Sequence, residues 1–483
     1  MVKIKRLINF VLPVTACNFQ CHYCYVGQEG RNTGDMGNLQ YSPEHIQKCL
    51  TVERLGGVCH INMCGLGETL LPDYAVDLAI KMLKNGHFVS VVTNGTITRR
   101  LKELCELTAE YKKLLFIKFS FHYLELQKKN LMGLFFDNVR MVRQAGLAFT
   151  IELTVNDETV PYIQKVQRIS QKEAGAVCHV IESRNMLDGL SRLTEMSEEA
   201  HKQAWGSFCS DLFDFQQTIW QEKRCEFCYA GDWICSLNVE SGCLIPCFGG
   251  GNMLQNIFEN PEEPIRFTAI GQNCQWTHCY AAYVLLSTGA IPEMKAPTYA
   301  SFRDRVCSDG STWLTSDVRE FFASKLIESN EEYSADKKLY INALMALEYN
   351  NKTVKYDLNA VGQAAARALQ KRNIKSLAVW GRSRYTDWLF EIMRGTSVKL
   401  KYVVDTEFYT DVQPGFKDKL KRNYKYTLKK MFDKKEEPLL LNRYDKLPQV
   451  DAMVITDWAH FNGIRQQIPL VYTNLLSLTE LAD

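Results

Sequence analysis

The sequence predicts an α/β protein: a partial (β/α)6, TIM-like barrel, then a small cysteine-rich domain, then a second α/β domain. Three observations carry this. Between residues 6 and 184, apolar β-rich runs alternate six times with helical periodicity, the pattern of a parallel sheet covered by helices. Seven of the 17 cysteines fall between Cys225 and Cys279, in a Gly-rich stretch with little apolar material. From Ile374 a new alternation of strand and helix begins.

The predicted barrel strands are Leu7–Val14, Val58–Met63, Phe88–Val92, Leu114–Phe119, Ala148–Val155 and Ala176–Ile181. Helical stretches lie between them at Pro43–Leu55, Asp73–Lys84, Thr98–Ala109 and Leu124–Ala145. Ser42 before Pro43, and the pair Pro72-Asp73, read as helix starts. Such sheets place their chemistry at the C-terminal ends of the strands. Residues 195–224 read as one or two helices, and 293–360 as helices with loops. Later strands are predicted at Ser376–Trp380, Leu400–Val404 and Ala452–Ile455. The domain division that follows is 1–195, 196–290, 291–365 and 366–483.

The chain has 483 residues, 46% hydrophobic and 23% charged, which is ordinary for a globular protein. Its net charge of +2 gives no reason to expect a nucleic-acid partner. The basic run Lys417–Lys435 is interleaved with acids and reads as a solvated helix or loop. The start reads as a strand entering a cysteine motif rather than a signal peptide, and no segment approaches the length of a membrane span. Cysteines without an export signal point to a reducing cytoplasm, and to metal ligands and buried thiols rather than disulfides.

Cys17, Cys21 and Cys24 have the spacing C-x3-C-x2-C on the loop after the first strand. Three thiolates can hold three irons of a [4Fe–4S] cube and leave the fourth iron open. A zinc site or three buried thiols is the alternative. Zinc normally wants a fourth ligand nearby, which His22 could supply only by twisting a tight loop. Cys49, Cys59, Cys64, Cys105, Cys178 and Cys307 read as small buried hydrophobes.

The first domain resembles the radical S-adenosylmethionine superfamily. Besides the three cysteines, Tyr23 stands where the family carries an aromatic residue. Gly65-Leu66-Gly67-Glu68-Thr69 resembles its Gly-Gly-Glu-Pro segment, with the second glycine and the proline altered, and Thr93-Asn94-Gly95 resembles its Thr-Asn-Gly segment. The resemblance implies a [4Fe–4S] cluster on Cys17, Cys21 and Cys24 and S-adenosylmethionine bound on its open iron. Electron transfer into the sulfonium would yield a 5′-deoxyadenosyl radical that abstracts hydrogen. It implies cofactor contacts from Tyr23, Gly65, Gly67, Glu68, Thr93, Asn94, Ser120 and Thr154, and a reductant such as flavodoxin or ferredoxin. His122, Asn156, Glu182 and Arg184 also end barrel strands, and some of these residues would contact cofactor or substrate.

In the second cysteine group, Cys228 is followed by thirteen residues, Gly242, four residues and Cys247. That spacing resembles the C-x9-15-G-x4-C opening of auxiliary-cluster (SPASM or twitch) extensions in the same superfamily. The resemblance implies a second [4Fe–4S] cluster on Cys228, Cys247, Cys274 and Cys279. A zinc ribbon on Cys225, Cys228, Cys274 and Cys279 stays open. The spare thiols Cys225, Cys235 and Cys243 are inert, substitute ligands, or hydrogen donors to a substrate radical.

Near the C-terminus a strand runs into Gly381-Arg382-Ser383, and Asp405 ends the next strand. This is Rossmann-like geometry. Only one glycine of G-x-G-x-x-G is present, which argues against a working dehydrogenase. The whole arrangement resembles radical enzymes associated with bacterial surface-polysaccharide gene sets. That implies an oxidoreductase or isomerase that oxidises, epimerises or dehydrates a sugar or nucleotide-sugar. Radical modification of a peptide is the second reading, and a zinc-stabilised binding protein the non-enzymatic one.

Overall fold

Six parallel strands form where the sequence predicts them, differing only at their ends. They are β1 (Arg6–Leu12), β2 (Cys59–Gly65), β3 (Phe88–Thr93), β4 (Leu115–Ser120), β5 (Ala148–Thr154) and β6 (His179–Ile181). The computed structural model describes residues 2–248, 251–279, 282–405, 439–442, 447–469 and 471–483. The basic run Lys417–Lys435 lies outside them. The chain divides into two units, Met1–Glu332 and Tyr333–Asp483. Among the described residues, no helix is long and apolar enough to cross a membrane.

Alternation along the strands sorts side chains onto two faces. Ile8, Phe10, Ile61, Met63, Ile117, Phe119 and Ile151 join the helices in one buried core. The opposite face is polar. Asn62 donates to Asn9 at 2.7 Å, His60 bonds Ser90, and Lys118 pairs with Glu152 at 2.8 Å. Polar side chains on consecutive strands thus pair with one another, as burial requires.

Several predicted helices break. Pro43–Leu55 divides into Pro43–Cys49 and Val52–Leu55, because Thr51 caps afresh by accepting from Arg54 N at 3.2 Å. Ser42 caps the first piece by accepting from His45 N at 3.2 Å. Asp73 makes no cap bond and pairs with Arg100 instead. Thr98–Ala109 divides into Thr98–Cys105 and Ala109–Lys112. Leu124–Ala145 divides at Asn130, whose φ of +54° is left-handed, a conformation asparagine tolerates.

A two-stranded ribbon follows β6, made of β7 (Arg184–Asn185) and β8 (Ser191–Arg192). The cysteine-rich segment then continues the first sheet. Strand β9 (Ile234–Asn238) pairs in parallel with β1, and β10 (Cys243–Ile245) and β11 (Gln255–Asn256) extend it antiparallel. The sheet order is β11-β10-β9-β1-β2-β3-β4-β5-β6. Leu237, Leu244, Leu254 and Phe258 enter the same core as the barrel strands.

The N-terminal ends of the strands are covered by helices Tyr299–Arg303 and Ser316–Ala323. Phe321 stacks on Phe88 at 3.8 Å between ring centroids, and His60 lies 4.8 Å from Phe322 and 5.4 Å from Tyr299. Burial, helped by Arg303, pushes the His60 imidazole down from 6.5 to about 3. The unfolded chain therefore binds a proton that the folded chain refuses. Stability is lost as pH falls from 6.5, by about 2 kcal/mol at pH 5 from this residue alone. Urea midpoints measured between pH 7 and pH 5 should fall less steeply for His60→Gln than for the wild type. Equal slopes would refute the assignment.

Among its described residues the second unit holds five parallel strands: β12 (Ser376–Trp380), β13 (Lys399–Asp405), β14 (Leu439–Asn442), β15 (Ala452–Ile455) and β16 (Leu475–Ser477). Their order is β14-β13-β12-β15-β16. Helices Leu358–Lys371 and Arg384–Met393 flank β12 in sequence, and Ser383 caps the second by accepting from Tyr385 N at 3.3 Å.

Candidate active site

The site begins where the loop after β2 meets the chain just before Cys17. Gly67 N donates to Val14 O at 2.7 Å and Glu68 N to Ala16 O at 2.9 Å. These bonds require backbones to touch. A Cβ on Gly67 would lie 2.0 Å from Ala16 O. The Gly65–Thr69 segment therefore acts, in this structure, as the support of the first cysteine loop.

Glu68 is 3% exposed and locks the next loop to it. Its carboxylate accepts from Thr93 Oγ1 at 2.6 Å, Asn94 N at 2.7 Å and Leu70 N at 3.0 Å. Burial raises the carboxyl's pKa in spite of those donors. Asn94 Nδ2 donates to Asn18 Oδ1 at 2.7 Å, Asn18 Nδ2 to Thr96 Oγ1 at 2.9 Å, and Thr96 Oγ1 to Asn94 Oδ1 at 2.6 Å. This ring of amides and hydroxyls fixes the residue after Cys17. Gln20 N donates to Glu125 at 3.1 Å, and Tyr23 Oη lies 2.9 Å from His122 Nδ1.

Cys17, Cys21 and Cys24 are free and half-buried. Burial pushes the Cys17 thiol up to about 11 and the Cys21 thiol to about 12, and in each case Cys24 adds to the rise. The structure thus brings the three thiols together. Phe19 N donates to Cys17 Sγ at 3.4 Å. Half-buried thiols that resist ionisation, with an N–H aimed at a sulfur, suit an iron–sulfur cluster, whose positive irons offset the charge that burial disfavours.

Ser120 and Thr154 end β4 and β5 half-buried. Asn156 accepts from Thr159 N at 3.0 Å as a helix cap. His122 is half-buried by exposure, and burial of its ring pushes it down to about 4, so it is neutral at pH 7. Glu182 is buried, accepting from Gln217 at 2.6 Å and lying 3.1 Å from His201. Cys49, Cys59, Cys178 and Cys307 are buried. Cys64 is only half-buried, and its electrostatic neighbours are Lys118, Glu68 and Cys24, on the site side of β2.

In the second thiol group the thiols are electrostatic neighbours of one another. Burial raises Cys228 to about 12, with Cys247 and Cys274 adding to the rise. Cys279 is raised by burial and by Cys228, Cys247 and Cys274. Gly242 forms the turn the spacing requires, with φ +81° and no room for a Cβ against Phe258 at 2.5 Å. Of the spare thiols, Cys225 is exposed, Cys243 half-buried and Cys235 buried in β9, donating to Gly231 O at 3.4 Å. Among the described residues, no group of three or more His, Cys, Asp or Glu closes on a single metal ion.

Asn18, Thr96, Glu125, Lys118 and Glu152 escaped the sequence reading. Lys118 and Glu152 had a visible signal: each is a charge in the middle of an otherwise apolar or hydroxylic strand.

Residues 11–163 match the family model described as the Radical SAM superfamily. Among solved structures, Streptococcus suis SuiB bound to precursor peptide SuiA is similar at 13% identity, over 54% of this chain and 64% of that one, with a TM-score of 0.40. The anSMEcpe structure with bound AdoMet is similar at 18% identity, over 53% and 76%, with a TM-score of 0.37. BtrN in complex with AdoMet and 2-DOIA is similar at 13% identity, over 54% and 81%, with a TM-score of 0.25. The match spans less than two thirds of the SuiB chain. No curated protein sequence matches significantly.

Proposed function

We propose that this chain is a radical S-adenosylmethionine enzyme that begins its reaction by taking hydrogen from a sugar or nucleotide-sugar. One observation carries the reading. Three free, half-buried thiols sit together on a loop held from behind by the Gly67 and Glu68 backbone bonds, in the stretch matched by the superfamily model. Cys17, Cys21 and Cys24 would hold a [4Fe–4S] cluster, and Cys228, Cys247, Cys274 and Cys279 a second. When bound, the first cluster supplies an electron, drawn from a reductant such as flavodoxin or ferredoxin, that cleaves S-adenosylmethionine to a hydrogen-abstracting radical.

The protein's own residues bind and orient. Glu68 positions the loop after β3 through Thr93 and Asn94, and Asn94 in turn holds Asn18 beside Cys17. Tyr23 is held by neutral His122 beside Cys24. Ser120 and Thr154, half-buried at the strand ends, are the hydroxyls available to cofactor or substrate. In the second unit, the strands taken in chain order lie 3-2-1-4-5, which supports a Rossmann-like domain suited to a nucleotide-bearing ligand.

The test is iron and sulfide content after anaerobic reconstitution, for wild type against the triple variant Cys17→Ala/Cys21→Ala/Cys24→Ala. About eight irons falling to about four is the expected result. About four irons falling to none, with zinc retained, would turn the second group into a zinc ribbon. No iron in either protein overturns the reading.

A further inference from the structure

We infer that Arg54 is the positioning residue of the second thiol group: it holds the β10–β11 hairpin, and with it Cys247, against the barrel. The inference deepens the proposed function by naming what fixes the second site, and it rests on that reading for the metal the site would hold.

Three carbonyls of one loop converge on the Arg54 guanidinium. Nη1 donates to Ile257 O at 2.8 Å, Nη2 to Asn260 O at 2.9 Å and Nε to Glu263 O at 2.8 Å. These carbonyls stand at every third residue, so the loop curls around the cation. Nη1 also donates to Cys49 O at 2.7 Å, at the end of the helix Pro43–Cys49. One side chain therefore satisfies four backbone acceptors from two parts of the chain, and it joins those parts. A lysine has its three donors at one point and lacks the planar fork that spans such a set.

Arg54 is itself held in place. Thr51 accepts from Arg54 N at 3.2 Å and so starts the short helix Val52–Leu55. The cap that interrupts the predicted helix thus fixes the residue that grips the loop. A second tie comes from the preceding helix, where His45 Nε2 donates to Phe258 O at 2.7 Å. Both ties arise between β1 and β2, on the barrel itself.

The loop is continuous with the thiol-bearing hairpin. Ile257 N donates to Gly242 O at 2.9 Å, and Leu254 N to Leu244 O at 2.8 Å. Asn256 stands opposite Cys243, and Gln255 opposite Leu244. On its other side β10 pairs with β9 at Leu244–Leu237 and Ile245–Ser236. Ladders this short hold a hairpin weakly without further support. Cys247 is buried two residues beyond the end of β10, so its place follows that of the hairpin.

The test uses full-length protein carrying Cys17→Ala/Cys21→Ala/Cys24→Ala, in which the first thiol group cannot bind metal. Iron and zinc are measured after anaerobic reconstitution, with and without Arg54→Met. Arg319→Met is the control, because that guanidinium likewise bonds several acceptors, on Asp304, Thr312 and Leu314, outside the cysteine-rich segment. Bound metal should fall about tenfold in Arg54→Met, recover in part in Arg54→Lys, and stay unchanged in Arg319→Met. In metal-free protein, iodoacetamide should alkylate Cys247 about tenfold faster in Arg54→Met than with Arg54 present, while buried Cys178 stays protected, because the hairpin opens locally. Undiminished metal in Arg54→Met, an equal loss in Arg319→Met, or equal alkylation of Cys247 overturns the inference. Zinc in place of iron, with the same dependence on Arg54, supports the positioning role and sinks the second cluster alone. A background protein that holds neither metal also sinks the second cluster, and the alkylation rates then decide the role of Arg54.

Discussion

Gly67→Ala is expected to yield protein that binds little or no iron. The new Cβ would stand 2.0 Å from Ala16 O, 2.7 Å from Ala16 C and 2.8 Å from Thr15 C. All three are backbone atoms, so no rotamer change can relieve the clash. Overpacking of a buried site costs about 1–3 kcal/mol where side chains can adjust, and more where they cannot. The only relief is separation of the two loops, which breaks the bonds from Gly67 N to Val14 O and from Glu68 N to Ala16 O. Cys17 is the next residue, so the first ligand moves with them. Two other glycines calibrate the effect. A Cβ on Gly65 meets the Val14 side chain at 2.6 Å, and that side chain can turn, while one on Gly133 meets nothing within 4 Å. Iron per chain should fall in the order Gly133→Ala, Gly65→Ala, Gly67→Ala, with the first equal to wild type. Gly67→Ala with wild-type iron would show that the loop contact does not hold the ligand.

The same contact shows what the sequence conveys and what it conceals. The barrel strands were legible because short apolar, β-rich runs recur between stretches of helical periodicity, the pattern of a parallel sheet covered by helices. The three cysteines stood out by their spacing, and Gly242 takes the left-handed turn that the spacing from Cys228 to Cys247 suggested. The division of labour inside the site was not legible. Glu68, Thr93 and Asn94 stand at motif positions, yet their side chains bond one another and Asn18 rather than facing outward. Only three-dimensional proximity between residues 18, 68 and 94 reveals that. The helix breaks at Thr51 and Asn130 were hidden because a local cap or a single left-handed residue outweighs a periodicity that runs through it. The sheet continuation at β9 was hidden because pairing partners more than 200 residues apart leave no local signal.

Glu152→Leu is expected to destabilise the first unit by about 3–5 kcal/mol, the usual cost of removing one partner from a buried ion pair. Glu152 is 4% exposed in the middle of β5 and holds two cations, Lys118 from β4 at 2.8 Å and fully buried Arg303 from the helix beneath the strands. Burial lowers the pKa of both, that of Lys118 strongly and that of Arg303 to about 9. Without the carboxylate, two cations stay buried near each other on the same face of the sheet. Two measurements separate this from loss of packing. Glu152→Leu/Arg303→Met should be more stable than Glu152→Leu alone, because it removes one of the two cations that Glu152 neutralises. The deficit of Glu152→Leu should also shrink as pH rises from 7 to 9. Loss of the carboxylate lowers the Lys118 pKa below its wild-type position, so as pH rises the folded variant releases a proton that the unfolded chain keeps. A deficit independent of pH and of Arg303 would mean that Glu152 contributes through shape alone.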